Sequence, residues 1–172
     1  MSENLKRLIR NVPDFPKPGI LFRDITPILL DPAALAEAVE GLAGPLRRLG
    51  ISRVAAIESR GFLLGAPVAM ALGVGLAIIR KPGKLPHGRH RVDYDLEYGS
   101  DALEMHIDAV KAGDRAAIVD DVLATGGTAA AAGELLRRAG AEVAAFSFLI
   151  ELEALEGRKK LGKVPVEAVV KY

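Results

Sequence analysis

The stretch from Ala116 to Thr128, AAIVDDVLATGGT, holds the residue types best suited to chemistry. Four apolar residues fit for a buried strand lead into two adjacent acids, a short turn, two glycines and two hydroxyls. Gly126 and Gly127 allow the main chain to approach a ligand closely. A helix starting at Thr128 would turn free N–H groups toward an anion. Thr125 and Thr128 add hydroxyl donors, and the only other threonine in the chain is Thr26. Ligands of open α/β sheets bind beyond the carboxyl ends of the strands, where Asp120 and Asp121 emerge. One end of the segment therefore suits a phosphate. The other suits ribose hydroxyls or a hydrated Mg2+. Taken singly, an Asp-Asp pair is a solvated strand end and Gly-Gly a turn; in this order after a buried strand they point to a phosphorylated sugar.

Two other nucleotide-binding patterns fail. A P-loop requires Lys followed by Ser or Thr after its glycines, whereas Gly127 precedes Thr128-Ala129. A dinucleotide fingerprint opens a helix, whereas Gly73-x-Gly75 leads into a strand. A second cluster is cationic: residues 80–91 contain Arg80, Lys81, Lys84, Arg89 and Arg91, with His87 and His90, and no acid. Charge alone makes this run a solvated loop. Arg60 stands apart, in the turn between a strand and a helix, where it can meet an anion near a helix N-terminus.

The elements that must position these groups alternate. Asp31-Pro32 reads as an N-cap followed by proline at the first helical position, opening a helix that runs to about Leu49. Strand Val54–Ile57, a helix over Phe62–Leu72 stopped by Gly73, and strand Leu76–Ile79 follow. The segment from Lys81 to about Val92 reads as a loop, and Tyr94–Tyr98 with Leu103–His106 as a hairpin or strand pair. After strand Ala116–Val119 come helix Thr128–Ala139, strand Val143–Ile150, a short helix near Leu155–Leu161 and strand Ala168–Lys171. Leu5, Leu8, Ile9 and Val12 share one helical face at the start of the chain. Continuous apolar strands separated by helices give an α/β fold, a mostly parallel sheet flanked by helices.

Composition narrows the field. The 172 residues suit a single domain, and 50% of them are apolar, enough to bury a core without covalent staples. With 23 Lys+Arg against 22 Asp+Glu, the formal charge is +1, which argues against a nucleic-acid coat. Zero cysteines exclude a disulfide framework, thiol catalysis and a Cys-ligated metal. Residues 61–79 carry no charge and are long enough by count to span a bilayer. Gly65, Pro67, Gly73 and Gly75 divide them, so a buried helix–strand pair is expected, no membrane association, and a cytoplasmic chain without a signal peptide.

Val119-Asp120-Asp121-Val122-Leu123-Ala124-Thr125-Gly126-Gly127-Thr128 resembles the phosphoribosyl pyrophosphate motif of the type I phosphoribosyltransferases. Four more segments, in order, resemble that family's adenine-using branch: PDFPKPGILFRDITP at 13–27, ESRGF at 58–62, RKPGKLP at 80–86 and LEYG at 96–99. Residues 151–161, ELEALEGRKKL, match its C-terminal part. The resemblance spans essentially the whole chain. It implies a single domain over residues 1–172, with an N-terminal hood (about 1–30) that contributes to the base site and a mobile catalytic loop (about 81–100). The implied reaction joins adenine to phosphoribosyl pyrophosphate, giving AMP and pyrophosphate in purine salvage, with a homodimer as the assembly.

The resemblance also implies roles. Ala124, Thr125, Gly126, Gly127 and Thr128 hold the 5′-phosphate, and Asp120 and Asp121 face the ribose. Ser59, Arg60, Arg80, Lys81 and Lys84 take the pyrophosphate, in part from a neighbouring subunit. Main-chain groups of Leu21, Phe22 and Arg23 pair with the adenine edge, and the ring lies between Phe22 and Val122. Arg23 itself is expected to be structural, pairing with Asp24 or another acid. Glu97 and Tyr98 belong to the catalytic loop, with Glu97 as the acid/base group near the purine imidazole ring. Mg2+ is the implied cofactor, carried by the substrate with help from Asp120 and Asp121 rather than by a dedicated ligand set. Arg89, His90 and Arg91 lie outside the matched segments and keep their reading as solvated residues. Two rivals remain. A 6-oxopurine enzyme is disfavoured by the N-terminal and LEYG segments. A regulator that senses phosphoribosyl pyrophosphate would need a DNA-binding module, for which the residues before Pro13 are too few.

Overall fold

The computed structural model describes residues 2–95 and 100–172. Helix α1 (Ser2–Leu8) leads into an antiparallel hairpin of β1 (Arg10–Pro13) and β2 (Leu21–Asp24), paired from Arg10↔Asp24 to Pro13↔Leu21. The helical face expected at Leu5, Leu8, Ile9 and Val12 therefore ends at Leu8. Leu5 and Ile9 are buried, while Val12 belongs to the hairpin. Helix α2 (Thr26–Leu30) and helix α3 (Pro32–Ala43) follow. Asp31 caps α3 by accepting hydrogen bonds from the amides of Ala33 (2.8 Å) and Ala34 (3.1 Å), as the Asp-Pro signal predicts. The expected helix to Leu49 tightens after Ala43 into a 3-10 turn over Gly44–Arg48, because Pro45 denies the α-ladder an amide.

The main sheet contains β3 (Arg53–Ile57), β4 (Gly75–Arg80), β5 (Arg89–Asp95), β6 (Ser100–His106), β7 (Arg115–Leu123), β8 (Glu142–Glu151) and β9 (Val166–Lys171). Their spatial order is β5-β6-β4-β3-β7-β8-β9. The pairs β3–β4, β3–β7, β7–β8 and β8–β9 are parallel, and β6 is antiparallel to both β4 and β5. The sheet is thus mostly parallel, with an antiparallel hairpin at one edge. Strand β5 begins at Arg89, so the loop expected from Lys81 to Val92 stops four residues early. The strand pair itself, β5 with β6, is longer than the sequence suggested because charged residues of β5 hide its alternation.

Helix α4 (Arg60–Leu72) and helix α5 (Gly127–Arg138) connect parallel strands and lie on opposite faces. Alternate residues of β7 serve the two cores. Ala116 and Ile118 join α5, while Ala117 and Val119 face α3 and α4. Helix α4 ends at Gly73, whose left-handed φ of 67° and the Val74 N–H···Ala69 O bond of 3.0 Å close it. Among the described residues no helix is long and apolar enough to cross a membrane. The uncharged stretch 61–79 is instead most of α4, a glycine stop and a strand of the sheet.

Small residues bring α4 down onto the sheet. A Cβ added at Gly65 would lie 2.5 Å from Ala56 Cβ, and one at Gly61 would lie 2.6 Å from Asp120 Oδ1. Positions 61 and 65 share one helical face, so the helix approaches β3 and β7 over its whole first turn. That approach sets Arg60 above the end of β7.

Candidate active site

The end of β7 and the start of α5 form one wall of a cavity of about 550 Å³. Every residue from Asp120 to Ala129 lines it. Gly126, at φ 80°, is the left-handed residue before α5, and no side chain caps the helix there. Its missing Cβ is required by more than φ. A methyl group would collide with the carbonyl oxygen of Gly157, and one on Gly157 would collide with the carbonyl oxygen of Ala124. The loop is therefore seated backbone against backbone on a 3-10 turn (Gly157–Leu161). The start of α5 and both threonines line the cavity, and an uncapped helix N-terminus with hydroxyls beside it is the arrangement that favours a phosphate.

The acids behave differently from one another. Asp121 is buried and accepts a hydrogen bond from Arg60 Nε. Asp120 Oδ1 accepts from the Asp121 amide at 2.9 Å, and burial together with the Asp121 charge pushes its carboxyl well above the usual carboxylate range. One acid is thus paired with a cation. Its neighbour, buried beside that charge, resists ionisation. Both acids lie inside β7 rather than beyond its end, since the strand runs to Leu123 instead of the expected Val119.

The expected base-site residues arrive from the N-terminal hairpin. Leu21, Phe22 and Arg23 of β2 line the same cavity, as does Val122. Phe22 is set by Phe15, edge-on at 5.1 Å, and by the Arg60 guanidinium 4.9 Å from its ring centre. Arg23 does not pair with Asp24 as the sequence suggested. It donates to Asn11 Oδ1 and lies 3.7 Å from the centre of the Tyr172 ring, while Asp24 faces Arg10 at 3.4 Å. The Asp24 carboxylate is already engaged by the Thr26 amide and hydroxyl, and the guanidinium lies instead against an aromatic face.

The expected pyrophosphate cations divide. Ser59, Arg60 and Lys81 line the cavity. Arg80 and Lys84 do not; both turn to Glu58, at 2.7 and 2.8 Å. Burial would raise the Glu58 carboxyl, but hydrogen bonds from Lys84, Arg80 and the Lys81 amide outweigh it and hold the carboxyl below its ordinary value. Lys81 pairs with Asp101. Arg89, read as solvated, pairs with Glu104 at 2.9 Å, and Glu104 is only 2% exposed. Its other oxygen accepts from the Gly83 amide at 3.0 Å. Arg80, Lys81, Lys84 and Arg89 of the acid-free run are thus paired with acids from elsewhere in the chain. Glu97 and Tyr98 lie outside the described residues.

Sequence reasoning missed part of the wall. Phe148 of β8 and Leu152 also border the cavity. Phe148 sits inside an apolar strand and looks like ordinary core. Leu152 lies in the matched C-terminal segment, which was the available signal. Among the described residues there is no group of three or more His, Cys, Asp or Glu side chains able to hold a metal ion.

A glycine-seated anion loop after paired acids, at the carboxyl edge of a parallel sheet, defines a phosphoribosyl-binding enzyme. The family model for the phosphoribosyl transferase domain matches residues 28–170, and the chain belongs to that family. The adenine phosphoribosyltransferase of Synechococcus sp. is 53% identical over 98% of this chain and 99% of its own. The crystal structure of adenine phosphoribosyltransferase from Thermoanaerobacter pseudethanolicus superimposes with a TM-score of 0.98 at 49% identity, covering all of both chains. That of Saccharomyces cerevisiae, complexed with adenine and an imino-altritol bisphosphate, gives 0.92 at 41% identity over 98% and 97% of the two chains. Within the family the chain stands among the adenine phosphoribosyltransferases, pentosyltransferases that make AMP and pyrophosphate from adenine and phosphoribosyl pyrophosphate.

Proposed function

We propose that this chain transfers the phosphoribosyl group to adenine with the roles its cavity suggests. The observation that carries the reading is that Leu21–Arg23 and Asp120–Thr128, far apart in sequence, line one cavity. The 5′-phosphate occupies the loop Ala124–Thr128. Asp120 and Asp121 take the ribose hydroxyls. Ser59, Arg60 and Lys81 meet the pyrophosphate, while Arg80 and Lys84 serve it from the rim or in the site of a second subunit of a homodimer. Adenine lies between Phe22 and Val122, and main-chain donors and acceptors of Leu21–Arg23 select a 6-amino over a 6-oxo purine, because the wrong base leaves buried groups unpaired.

Mg2+ fits this donor set as a passenger of the substrate. Such an ion is commonly held by one or two carboxylates plus substrate phosphates, and Asp120 with Asp121 offers that number. When bound, it neutralises charge on the departing pyrophosphate. Residues 1–30 act as a hood over the base. Within the segment 81–100 Glu97 and Tyr98 complete the site, with Glu97 exchanging a proton with the purine ring and the closed segment excluding water from the oxocarbenium-like sugar. The enzyme works in the cytoplasm.

Pyrophosphate release with phosphoribosyl pyrophosphate, Mg2+ and each of adenine, hypoxanthine and guanine tests the reading. Turnover is expected with adenine alone. Equal turnover with hypoxanthine would overturn the base-site assignment.

A further inference from the structure

The phosphate loop and the cation segment meet at Tyr94, a half-buried side chain of β5 whose ring packs against the α5 core. Its hydroxyl lies 3.3 Å from Thr128 Oγ1, 3.1 Å from Lys81 Nζ and 3.3 Å from Asp101 Oδ2. Burial alone would lower the Lys81 ammonium, but hydrogen bonds to Asp101 and Tyr94 more than offset it and keep it charged. Lys81 is therefore a donor only, with three protons. Asp101, held low chiefly by its bond from Lys81, is an acceptor only. The two hydroxyls between them have one proton each and can turn it either way.

Proton counting fixes the direction once a phosphate arrives. A phosphate oxygen accepts only, so Thr128 must spend its single proton on it and offers Tyr94 a lone pair. Tyr94 then turns its proton from Asp101 to Thr128 and accepts from Lys81. Each bond in such a chain polarises the next. Lys81 keeps one proton for Asp101 and one for Tyr94, and its third is left for the cavity that it lines.

We propose that Tyr94 is a positioning residue that couples the 5′-phosphate end of the donor substrate to its pyrophosphate end, through the sequence phosphate, Thr128, Tyr94, Lys81. The inference rests on the phosphate-loop reading above and adds a residue to it. Because the coupling is between two binding events, it is reciprocal: pyrophosphate at Lys81 strengthens the grip of Thr128 on phosphate as much as the reverse.

Calorimetric titration of the full chain with phosphoribosyl pyrophosphate and Mg2+, and separately with AMP, tests it. Tyr94→Phe keeps the ring and is expected to weaken phosphoribosyl pyrophosphate about five- to tenfold, the worth of one hydrogen bond. AMP carries no pyrophosphate and should weaken by no more than about twofold. Equal losses for both ligands would make Tyr94 merely structural and overturn the coupling. A double-mutant cycle gives the second arm. Thr128→Ala and Lys81→Ala should be non-additive for phosphoribosyl pyrophosphate, and become additive when Tyr94→Phe is also present. Additivity in both backgrounds, or non-additivity that survives Tyr94→Phe, overturns the proposal. If Tyr94→Phe fails to fold, Asp101→Asn probes the same junction and should weaken phosphoribosyl pyrophosphate selectively over AMP; a non-selective loss counts against it. Failure of Thr128→Ala to weaken AMP would instead overturn the phosphate-loop reading beneath.

Discussion

The loop at residues 124–128 and the segment at 80–91, which reaches the same cavity through Lys81, are held by different means. The first rests on main chain: Gly126 against the Gly157 carbonyl, and Gly157 against the Ala124 carbonyl. Its position leaves almost no freedom, because no side chain can swing away to relieve a clash. The second is tied by side chains to three acids, Glu58, Asp101 and Glu104, that reach it from β3–α4 and from β6. Long cationic side chains can exchange those acids for a ligand. In the proposed roles, a rigid seat for the phosphate that both substrate and product carry, and movable cations for the pyrophosphate that leaves, suit a transfer in which only one end of the donor departs.

The sharpest way to break this contrast is to add one carbon to the rigid side. Gly126→Ala introduces a left-handed alanine and a backbone collision at once, costing about 1–3 kcal/mol from conformation alone. AMP affinity should fall at least about tenfold, with phosphoribosyl pyrophosphate falling alike. Gly113→Ala is the control: its φ of 87° is as unfavourable, but a Cβ there meets nothing within 4 Å. It should lower thermal stability by about 1 kcal/mol and leave AMP binding intact. If the two variants bind AMP equally well, the seat on Gly157 is not what holds the loop.

A smaller effect is expected on the tethered side. Glu104→Gln leaves Arg89 and the Gly83 amide with a neutral acceptor in a buried position. The KM for phosphoribosyl pyrophosphate should rise several-fold, while AMP affinity changes by less than about twofold, since in the proposed roles the cations of this segment serve the pyrophosphate that AMP lacks. A matching loss for AMP would mean that Glu104 supports the phosphate loop as well as the cation segment.

This contrast also explains what could be read from the amino acids. The parallel strands, α4, α5 and the loop 120–128 are local in sequence. Their apolar runs, caps and glycines carry the information within a dozen residues. The hairpin β1–β2 was missed because its four-residue strands contain Arg10, Asn11 and Arg23 and no alternation to detect. The reach of β5 to Arg89 was missed for the same reason. Arg89 and Glu104 are near one another only through the β5–β6 register, and Arg23 finds Tyr172 from the other end of the chain. Every cation of the site was visible as a residue. Its acid was not, because pairing is a property of the fold.

The smallest predicted effect links the two modes. Arg158 adjoins Gly157 and grips the buried Glu151 through both Nε and Nη2, the latter at 2.6 Å. The hydrogen bond from Arg158 outweighs burial and holds the Glu151 carboxyl below 4.5, its ordinary value. The folded chain therefore binds fewer protons there than the unfolded chain. Stability from the pair is complete above about pH 4.5 and is lost as pH falls through the lowered folded value. Because Arg158 is partly exposed, its contribution at neutral pH is about 1 kcal/mol. Glu151→Gln should thus melt a few degrees below the parent at pH 7, about 2–4 °C for a chain of this size, and the gap should narrow as pH drops below 4.5. AMP affinity at pH 7 then decides what the pair does for the loop. Unchanged affinity means that Gly157 holds its seat by packing alone, whereas a loss in step with stability means that the rigid region also depends on an ion pair.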